Sequence, residues 1–166
     1  MAIRRAAMHD VEPVMRLIKA ASLRMQEMGV AQWDDEYPAA QDVLSDVAEG
    51  TLYVVEDGGE IHGVITLNEH QDVEYKAVAW QCSAGTPLVI HRLCVGPHAQ
   101  GRGVAKVLMA FAESFATQHG YPSIRLDCFT QNPISNRLYS RLGYAKVGVV
   151  TFRKGRFNCY EKQLRP

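Results

Sequence analysis

Apolar residues recur every three or four positions in several segments of the chain, which is the spacing of an amphipathic helix. In the first of these segments Asp10 stands at the N-cap position, Pro13 fits the first turn and Gly29 ends the pattern. In the clearest one an apolar stripe begins at Val104, and Gly120 closes it. The predicted helices cover residues 10–28, 40–49, 104–119 and 133–142.

Shorter segments rich in β-branched and aromatic residues lie between these helices and predict strands. They cover residues 3–6, 51–55, 61–67, 88–95, 123–129, 144–150 and 157–164. Asp57-Gly-Gly59 is typical of a tight hairpin turn, so the two strands beside it are expected to be antiparallel. The strand–helix–strand–helix–strand order over 88–150 implies crossover connections and at least one parallel strand pair. The chain is therefore predicted to be α/β, with a mixed sheet and helices on its faces.

The length and the net charge of the chain limit the classes of protein to which it can belong. The chain has 166 residues, and we expect residues 1–166 to form one domain. Its 18 basic and 18 acidic side chains cancel, which disfavours a nucleic-acid partner bound through phosphates. No apolar run approaches the length of a membrane span, and the N-terminus lacks the apolar stretch of a signal peptide. We therefore expect neither a nucleic-acid nor a membrane partner.

The four cysteines give no sign of a metal or redox centre. They lie far apart, without a Cys-x-x-Cys pair, so no metal is expected. Three of them stand in apolar, strand-like surroundings, where a free cysteine behaves as a small buried hydrophobe. Unpaired thiols of this kind also predict a reducing, cytoplasmic location.

A glycine-rich segment joins the strand at 88–95 to the helix that begins at Val104. Glycines let a backbone approach a phosphate closely, and the free N–H groups and dipole of a helix start favour an anion. Two familiar phosphate loops do not fit: the P-loop fails because Val107 follows Lys106, and the dinucleotide fingerprint needs glycine at position 106. What fits is Gln/Arg-x-x-Gly-x-Gly/Ala, present here as Gln100, Gly103 and Ala105.

This pattern, together with two neighbouring stretches, resembles the GNAT family of N-acetyltransferases, and in particular its small bacterial members. The stretches are His91–Pro97 before the loop and Asn132–Tyr144 after the next strand. In the second, the family's pattern is Asn-x-x-Ala-x-x-Leu-Tyr-x-x-x-Gly-Phe/Tyr. The matching residues are Asn132, Leu138, Tyr139, Gly143 and Tyr144, while Ser135 replaces the usual alanine.

The resemblance implies the GNAT fold, with about 6–7 strands and about four helices, and an acetyl-CoA-dependent N-acetyltransferase. The amine would attack the acetyl group directly in a ternary complex. The pyrophosphate would lie on the loop amides, and the strand before the loop would pair with the pantetheine arm. The residues implied to bind acetyl-CoA are Leu93, Cys94, Val95, Gln100, Gly101, Arg102, Gly103, Val104, Ala105, Lys106, Asn132 and Asn136.

Tyr139 matches the family's general acid, a phenol that protonates the departing sulfur of coenzyme A. The alternative is a core tyrosine with a satisfied hydroxyl, because Tyr139 stands between Leu138 and Leu142 on an amphipathic helix. No general base is assigned. The candidates are a water molecule and the side chains of His91, Glu74, Asp34, Asp35 and Glu36.

The acceptor is expected to be a primary amine of a small molecule or a peptide. Two loops, 32–38 and 69–80, combine acids with aromatic residues, which suits a cationic amine. The alternative is a solvated acidic surface whose aromatic side chains pack inward. We also expect a homodimer formed through a sheet edge. The alternative function is a module of GNAT shape that binds or senses acyl-CoA without turnover.

Overall fold

The computed structural model describes residues 1–164, so the last two residues of the predicted domain lie outside the described part of the chain. Its helices are α1 (Val11–Glu27), α2 (Ala40–Ala48), α3 (Val104–Gln118) and α4 (Pro133–Arg141). Its strands are β1 (Ala2–Arg5), β2 (Leu52–Asp57), β3 (Glu60–Asn68), β4 (Leu88–Val95), β5 (Ser123–Phe129), β6 (Ala145–Phe152) and β7 (Gly155–Gln163). Within residues 1–164, no helix is both long enough and apolar enough to cross a membrane.

The strands form one mixed sheet of seven strands in the order β1-β2-β3-β4-β5-β7-β6. β4 and β5 are parallel, with Leu88 opposite Ile124 and Val89 opposite Arg125. β1 with β2, β2 with β3, β5 with β7 and β6 with β7 are antiparallel. The predicted mixed α/β fold is therefore confirmed, including its parallel pair.

The residues group into two compact units. The first unit contains Met1–Leu67 and His91–Ala112, and the second contains Asn68–Ile90 and the residues from Glu113 onward. β4 therefore contributes its first three residues to the second unit and the remainder to the first. The single domain over residues 1–166 stays a prediction.

The core of the first unit accounts for the apolar stripe of α1. Val14, Ile18 and Ala21 on this helix are buried in one cluster with Trp33 and Val54. The burial of these side chains, rather than helix propensity alone, stabilises α1 in this position. α1 ends where predicted, because Gly29 follows it with a φ of 79°, a conformation that glycine adopts without strain.

Asp10 occupies the predicted N-cap position of α1, but its side chain makes no cap hydrogen bond to that helix. Its carboxylate instead accepts the Ala7 N–H at 2.7 Å, and two bonds from Arg4 at 2.7 and 2.9 Å. The bonds from Arg4 lower the pKa of Asp10 to about 2. The sequence pattern identified the helix boundary correctly but not the role of the side chain, because it could not show that Arg4 lies beside it.

Gly58 and Gly59 form the tight turn between β2 and β3, with φ values of 59° and 80°. Two successive positive φ angles are what a two-residue hairpin turn requires when its twist matches the strands. Asp57 and Glu60, the residues on either side of the turn, are paired. The predicted antiparallel hairpin is therefore confirmed.

In the second unit a single buried carboxylate holds the irregular segment that precedes β4. Glu161 on β7 is 2% exposed and accepts the backbone N–H groups of Gln81 at 2.7 Å and Cys82 at 3.2 Å. The Arg125 guanidinium lies 4.3 Å from the centre of the Trp80 ring and 3.9 Å from Glu161. Charge-assisted bonds therefore fix the end of this segment.

All four cysteines are free thiols, and three of them, Cys94, Cys128 and Cys159, are buried as predicted. Burial raises the pKa of each of these three thiols to about 12. They therefore stay protonated near neutral pH, which makes them poor nucleophiles and poor metal ligands.

Candidate functional site

β4 carries a backbone irregularity at Arg92, whose φ of 50° is the only positive value of a non-glycine residue among residues 1–164. The Arg92 guanidinium forms a two-point ion pair with Asp46 of α2, at 2.6 and 2.7 Å. Its third bond goes to the Tyr37 hydroxyl at 2.9 Å. Burial alone would lower the pKa of Arg92, but the bonds to Asp46 outweigh it and raise the pKa.

The ion pair holds Arg92 in a backbone conformation that residues other than glycine rarely adopt. Thr66 adds a hydrogen bond of 2.8 Å to the same Asp46 carboxylate, so both of its oxygens are engaged. The three residues implied to pair with pantetheine, Leu93, Cys94 and Val95, follow Arg92 directly. The backbone of these three residues therefore follows directly on Arg92, whose positive φ is held by the ion pair with Asp46.

The loop between β4 and α3 begins with a tight turn at Pro97–Ala99. Ala99, the last residue of this turn, is fully buried. The Gln100 side chain donates from Nε2 to the Val95 carbonyl at 3.3 Å. Gln100, predicted to bind the cofactor, thus also ties the loop back to the end of β4.

α3 begins at Val104, and the Gly103 carbonyl accepts the Val107 N–H at 3.1 Å. Gly103 is therefore the N-cap, and the N–H groups of the next three residues have no acceptor within the helix. These residues are Val104, Ala105 and Lys106 of the predicted pyrophosphate site. The helix dipole adds a partial positive charge at the same place.

Gly101 and Gly103 both lie in the left-handed region, with φ values of 79° and 78°. A Cβ atom at either position would meet no other heavy atom within 4 Å, so conformation rather than space requires glycine there. Arg102 and Lys106 are exposed beside them. The segment presents free amides and two cations to solvent, an arrangement that binds a phosphate or pyrophosphate.

Asn132 and Asn136 serve the fold of the second unit. The Asn132 side chain caps α4 by accepting the Ser135 N–H at 3.1 Å. The Asn136 amide donates to the Phe129 and Asn132 carbonyls at 2.9 and 2.7 Å. Its oxygen accepts bonds of 2.9 Å from Asn158 and 2.7 Å from Tyr160.

These four bonds use the full hydrogen-bonding capacity of the Asn136 side chain. The predicted contact between this side chain and a cofactor would require one of them to break. The family resemblance implied that Asn136 binds the cofactor, and a resemblance in sequence does not show how many partners a side chain already has. The role of Asn136 in cofactor binding stays a prediction.

Tyr139 lies on the buried side of α4 and is 6% exposed. The Tyr160 ring lies 5.7 Å away and the Tyr144 ring 6.2 Å away, measured between centroids. Burial raises the pKa of the Tyr139 phenol well above its usual value of 10.0, and the neighbouring Cys128 and Asp127 add to the effect. The phenol is therefore protonated near neutral pH, which suits a general acid as well as a core tyrosine.

Asp127 is a titratable residue of the second unit that the sequence prediction missed. It lies on β5 and accepts a hydrogen bond of 2.6 Å from the Tyr75 hydroxyl. Burial raises the pKa of its carboxyl to about 6, although the Tyr75 bond opposes the rise. A signal was present, because an acid stands between Leu126 and Cys128 in a predicted strand. A carboxyl of this kind exchanges its proton near neutral pH.

We expect Asp127→Asn to change the pH dependence of stability. A carboxyl whose pKa rises from 3.8 to about 6 on folding stabilises the protein below pH 4, and this contribution is lost as the pH rises to about 6. Relative to wild type, the variant should gain stability over this window, by at most about 3 kcal/mol. Urea unfolding at pH 4 and pH 8 measures the change. If the difference in unfolding free energy between variant and wild type is the same at pH 4 and pH 8, the raised pKa is contradicted.

Each of the two predicted acceptor loops buries one of its two aromatic residues. Trp33 is 6% exposed and Tyr75 is 2% exposed. Asp34 accepts the backbone N–H groups of Glu36 at 3.0 Å and Tyr37 at 3.2 Å, so it stabilises its own turn. The alternative of inward-packed aromatics thus describes much of both loops. The exposed acids that remain in the first loop are Asp35 and Glu36.

Comparison with known proteins agrees with this arrangement. The sequence profile of the acetyltransferase (GNAT) family matches residues 17–144. N-acetyltransferase 8F1 of Rattus norvegicus is 28% identical over 61% of this chain, and the match spans 42% of that relative's length. S-(2-succino)cysteine N-acetyltransferase of Bacillus subtilis is 25% identical over 98% of this chain and 95% of its own.

Solved structures show the same fold. A GNAT-family acetyltransferase from Streptococcus agalactiae has a TM-score of 0.87 and 24% identity, and covers 99% of this chain and 96% of its own. A protein from Salmonella typhimurium, solved with its cofactor acetyl-CoA, has a TM-score of 0.73 and 20% identity, over 100% of this chain and 95% of its own. The match of the family profile to most of the sequence shows that the chain belongs to the GNAT acetyltransferase family.

Proposed function

We propose that this protein transfers the acetyl group of acetyl-CoA to a primary amine, by direct attack in a ternary complex. The observation that carries the proposal is the start of α3, where the free amides of Val104, Ala105 and Lys106 follow two glycines of positive φ. The Salmonella typhimurium structure with acetyl-CoA, and a Thermoplasma acidophilum N-acetyltransferase solved with coenzyme A, support the choice of cofactor.

In this proposal the pyrophosphate of acetyl-CoA binds the loop amides, with Arg102 and Lys106 adding positive charge. The backbone of Leu93, Cys94 and Val95 pairs with the pantetheine arm. A backbone N–H of the same strand stabilises the negative charge that grows on the carbonyl oxygen as the amine attacks.

Tyr139 then supplies the proton that the departing sulfur takes up. Its raised pKa keeps that proton in place until charge develops on the sulfur. The amine must lose a proton as well, and Asp127 joins His91 and water among the candidates to accept it. The support for Asp127 is its carboxyl pKa of about 6, raised by burial, which allows the carboxylate to accept a proton near neutral pH.

For the acceptor we propose a cationic amine. The support is the pair of exposed acids, Asp35 and Glu36, in the loop that also carries Tyr37. The Bacillus subtilis relative acts, by its name, on an acidic amino-acid conjugate, so an acidic acceptor is the alternative to test.

Turnover of acetyl-CoA across a panel of amines, read as free thiol released, tests both parts of the proposal. The panel holds a diamine, lysine and N-terminal peptides, a neutral amine and S-(2-succino)cysteine. We expect turnover with a cationic acceptor and a rate that rises with pH, because the attacking nitrogen must be neutral. Asp35→Asn should raise KM for that acceptor several-fold, while Asp57→Asn, an exposed acid of the hairpin turn, should not. Turnover only with the acidic acceptor would refute the charge argument, and thiol release with no amine would refute the transferase.

A further inference from the structure

Three potential metal ligands converge at the turn that precedes the phosphate-binding loop. Glu60 and His62 lie on β3, and His98 lies in the turn Pro97–Ala99. His62 Nδ1 is 3.1 Å from His98 Nε2, which in turn is 3.3 Å from Glu60 Oε1. The ligand atoms of all three residues lie within 4.8 Å of one another, and no other group of this kind occurs in residues 1–164.

The fold itself builds this cluster within the first unit. Glu60 and His62 lie two residues apart on β3, at a bulge where the pairing with β2 passes from Ile61–Glu56 to Gly63–Val55 and leaves His62 as the extra residue. The Gly96 N–H donates to the His62 carbonyl at 2.9 Å and fixes the turn beside β3. A Cβ atom at position 96 would lie 2.6 Å from His98 Cε1, so the absence of a side chain there lets the imidazole lie against the backbone.

The contacts of His98 Nε2 are difficult to satisfy with hydrogen bonds alone. A neutral ring nitrogen carries either one proton or one lone pair, yet this atom faces both His62 Nδ1 and a Glu60 carboxylate oxygen. If His98 Nε2 accepts a hydrogen bond from His62, it has no proton to donate to the Glu60 oxygen, and its electrons and those of the carboxylate repel each other. If His98 Nε2 is a donor, it must share one proton between His62 and Glu60. A cation among the three atoms accepts a lone pair from each of them.

We propose that Glu60, His62 and His98 bind a divalent transition-metal ion, with Zn²⁺ the best match. Two ligands about 2.0–2.1 Å from a tetrahedral zinc ion lie ~3.3 Å apart. The observed separations of 3.1 and 3.3 Å have this size. Two imidazoles and one carboxylate, with water as the fourth ligand, are a common donor set for zinc and a poor one for Mg²⁺ or Ca²⁺.

The cysteine spacing predicted no metal, and this cluster contains no cysteine. The sequence signal for this cluster was an acid and a histidine two residues apart at the start of one predicted strand. That His98 lies beside them is visible only in the folded structure. Bound metal would fix the turn two residues before Gln100, so it should tighten acetyl-CoA binding. That coupling rests on the proposed function, whereas the metal site does not.

Metal binding is tested on the full chain without an affinity tag, in a Cys82→Ser background that removes the one cysteine that is not buried. After chelator treatment and dialysis, zinc is titrated by calorimetry and cobalt by visible absorption. We expect one equivalent of each ion to bind, and tetrahedral cobalt to absorb strongly. Glu60→Gln and His98→Gln should each weaken the affinity by about 10-fold or more. His70→Gln should not, although it also removes a histidine beside an acid, Asp72, at 3.6 Å.

No saturable binding at millimolar zinc, or binding that both Glu60→Gln and His98→Gln leave intact, would overturn the site. Both side chains are exposed, and circular dichroism of each variant separates lost ligation from unfolding. Acetyl-CoA affinity is measured on the same preparations with and without zinc. Zinc binding without acetyl-CoA binding would support the metal site and refute the proposed function. Acetyl-CoA binding without zinc binding would support the proposed function and refute the metal site.

Discussion

Gly103→Asp is expected to abolish acetyl-CoA binding, lowering the affinity by about 10²-fold or more. A carboxylate would stand beside the pyrophosphate at the first turn of α3, and two unit charges about 4 Å apart repel by about 4 kcal/mol near a protein surface. The position is exposed and no heavy atom lies near its missing Cβ, so the fold should persist. Its φ of 78° adds a conformational cost of about 1–2 kcal/mol. Calorimetric titration with acetyl-CoA measures the loss.

Gly103→Asn is the matched control for this substitution. Asparagine has nearly the same shape and adopts a positive φ about as readily as aspartate, but it carries no charge. We expect it to weaken binding by about 10-fold at most, since the helix dipole and the remaining amides still attract the pyrophosphate. Near-normal affinity in a folded Gly103→Asp protein would mean that the phosphates bind elsewhere.

Tyr139→Phe is expected to lower kcat by about 10²-fold, the lower end of what general acid catalysis supplies. KM for acetyl-CoA should change little, because the hydroxyl acts mainly when charge develops on sulfur. A thiolate is already a tolerable leaving group near neutral pH, which limits the effect. The ring keeps its contacts with Tyr144 and Tyr160, so unfolding free energy should fall by no more than ~1 kcal/mol.

Tyr144→Phe is the matched control, because it removes the phenol of a neighbouring buried tyrosine. The Tyr144 hydroxyl donates to Glu113 of α3 at 3.2 Å, a structural contact of the segment that follows α4. Its loss should cost stability and leave kcat near the wild-type value. A folded Tyr139→Phe protein with unchanged kcat would return Tyr139 to a core role and leave the general acid unassigned.

The sequence predicts most of the fold, because local rules govern the features involved. Apolar spacing gave the four helices to within a few residues, and the glycines at positions 29 and 120 ended two of them. The hairpin turn at Gly58 and Gly59 depends only on its two residues. What local rules could not supply is the side-chain role of Asp10, which depends on Arg4 from a neighbouring strand.

The candidate site was predictable only where it is contiguous in sequence. The residues of the proposed phosphate-binding loop, Gln100 to Lys106, all lie in one segment, so a motif can describe them. The pKa of Asp127 is raised by burial, and its hydrogen bond comes from Tyr75, 52 residues away. The histidine pair joins β3 to a turn 36 residues further on. The two bonds that occupy the side-chain oxygen of Asn136 come from β7. None of these distant contacts leaves a local pattern.

Thermal unfolding of the wild-type protein in the presence of acetyl-CoA tests the central proposal most directly. A ligand that binds only the native state at 100 times its Kd adds about 2.7 kcal/mol of stability. For a chain of this length that corresponds to a rise in Tm of about 5–10 °C. A dose-dependent rise with acetyl-CoA, absent in Gly103→Asp, is the expected result. An unchanged Tm at millimolar acetyl-CoA would contradict cofactor binding at this loop.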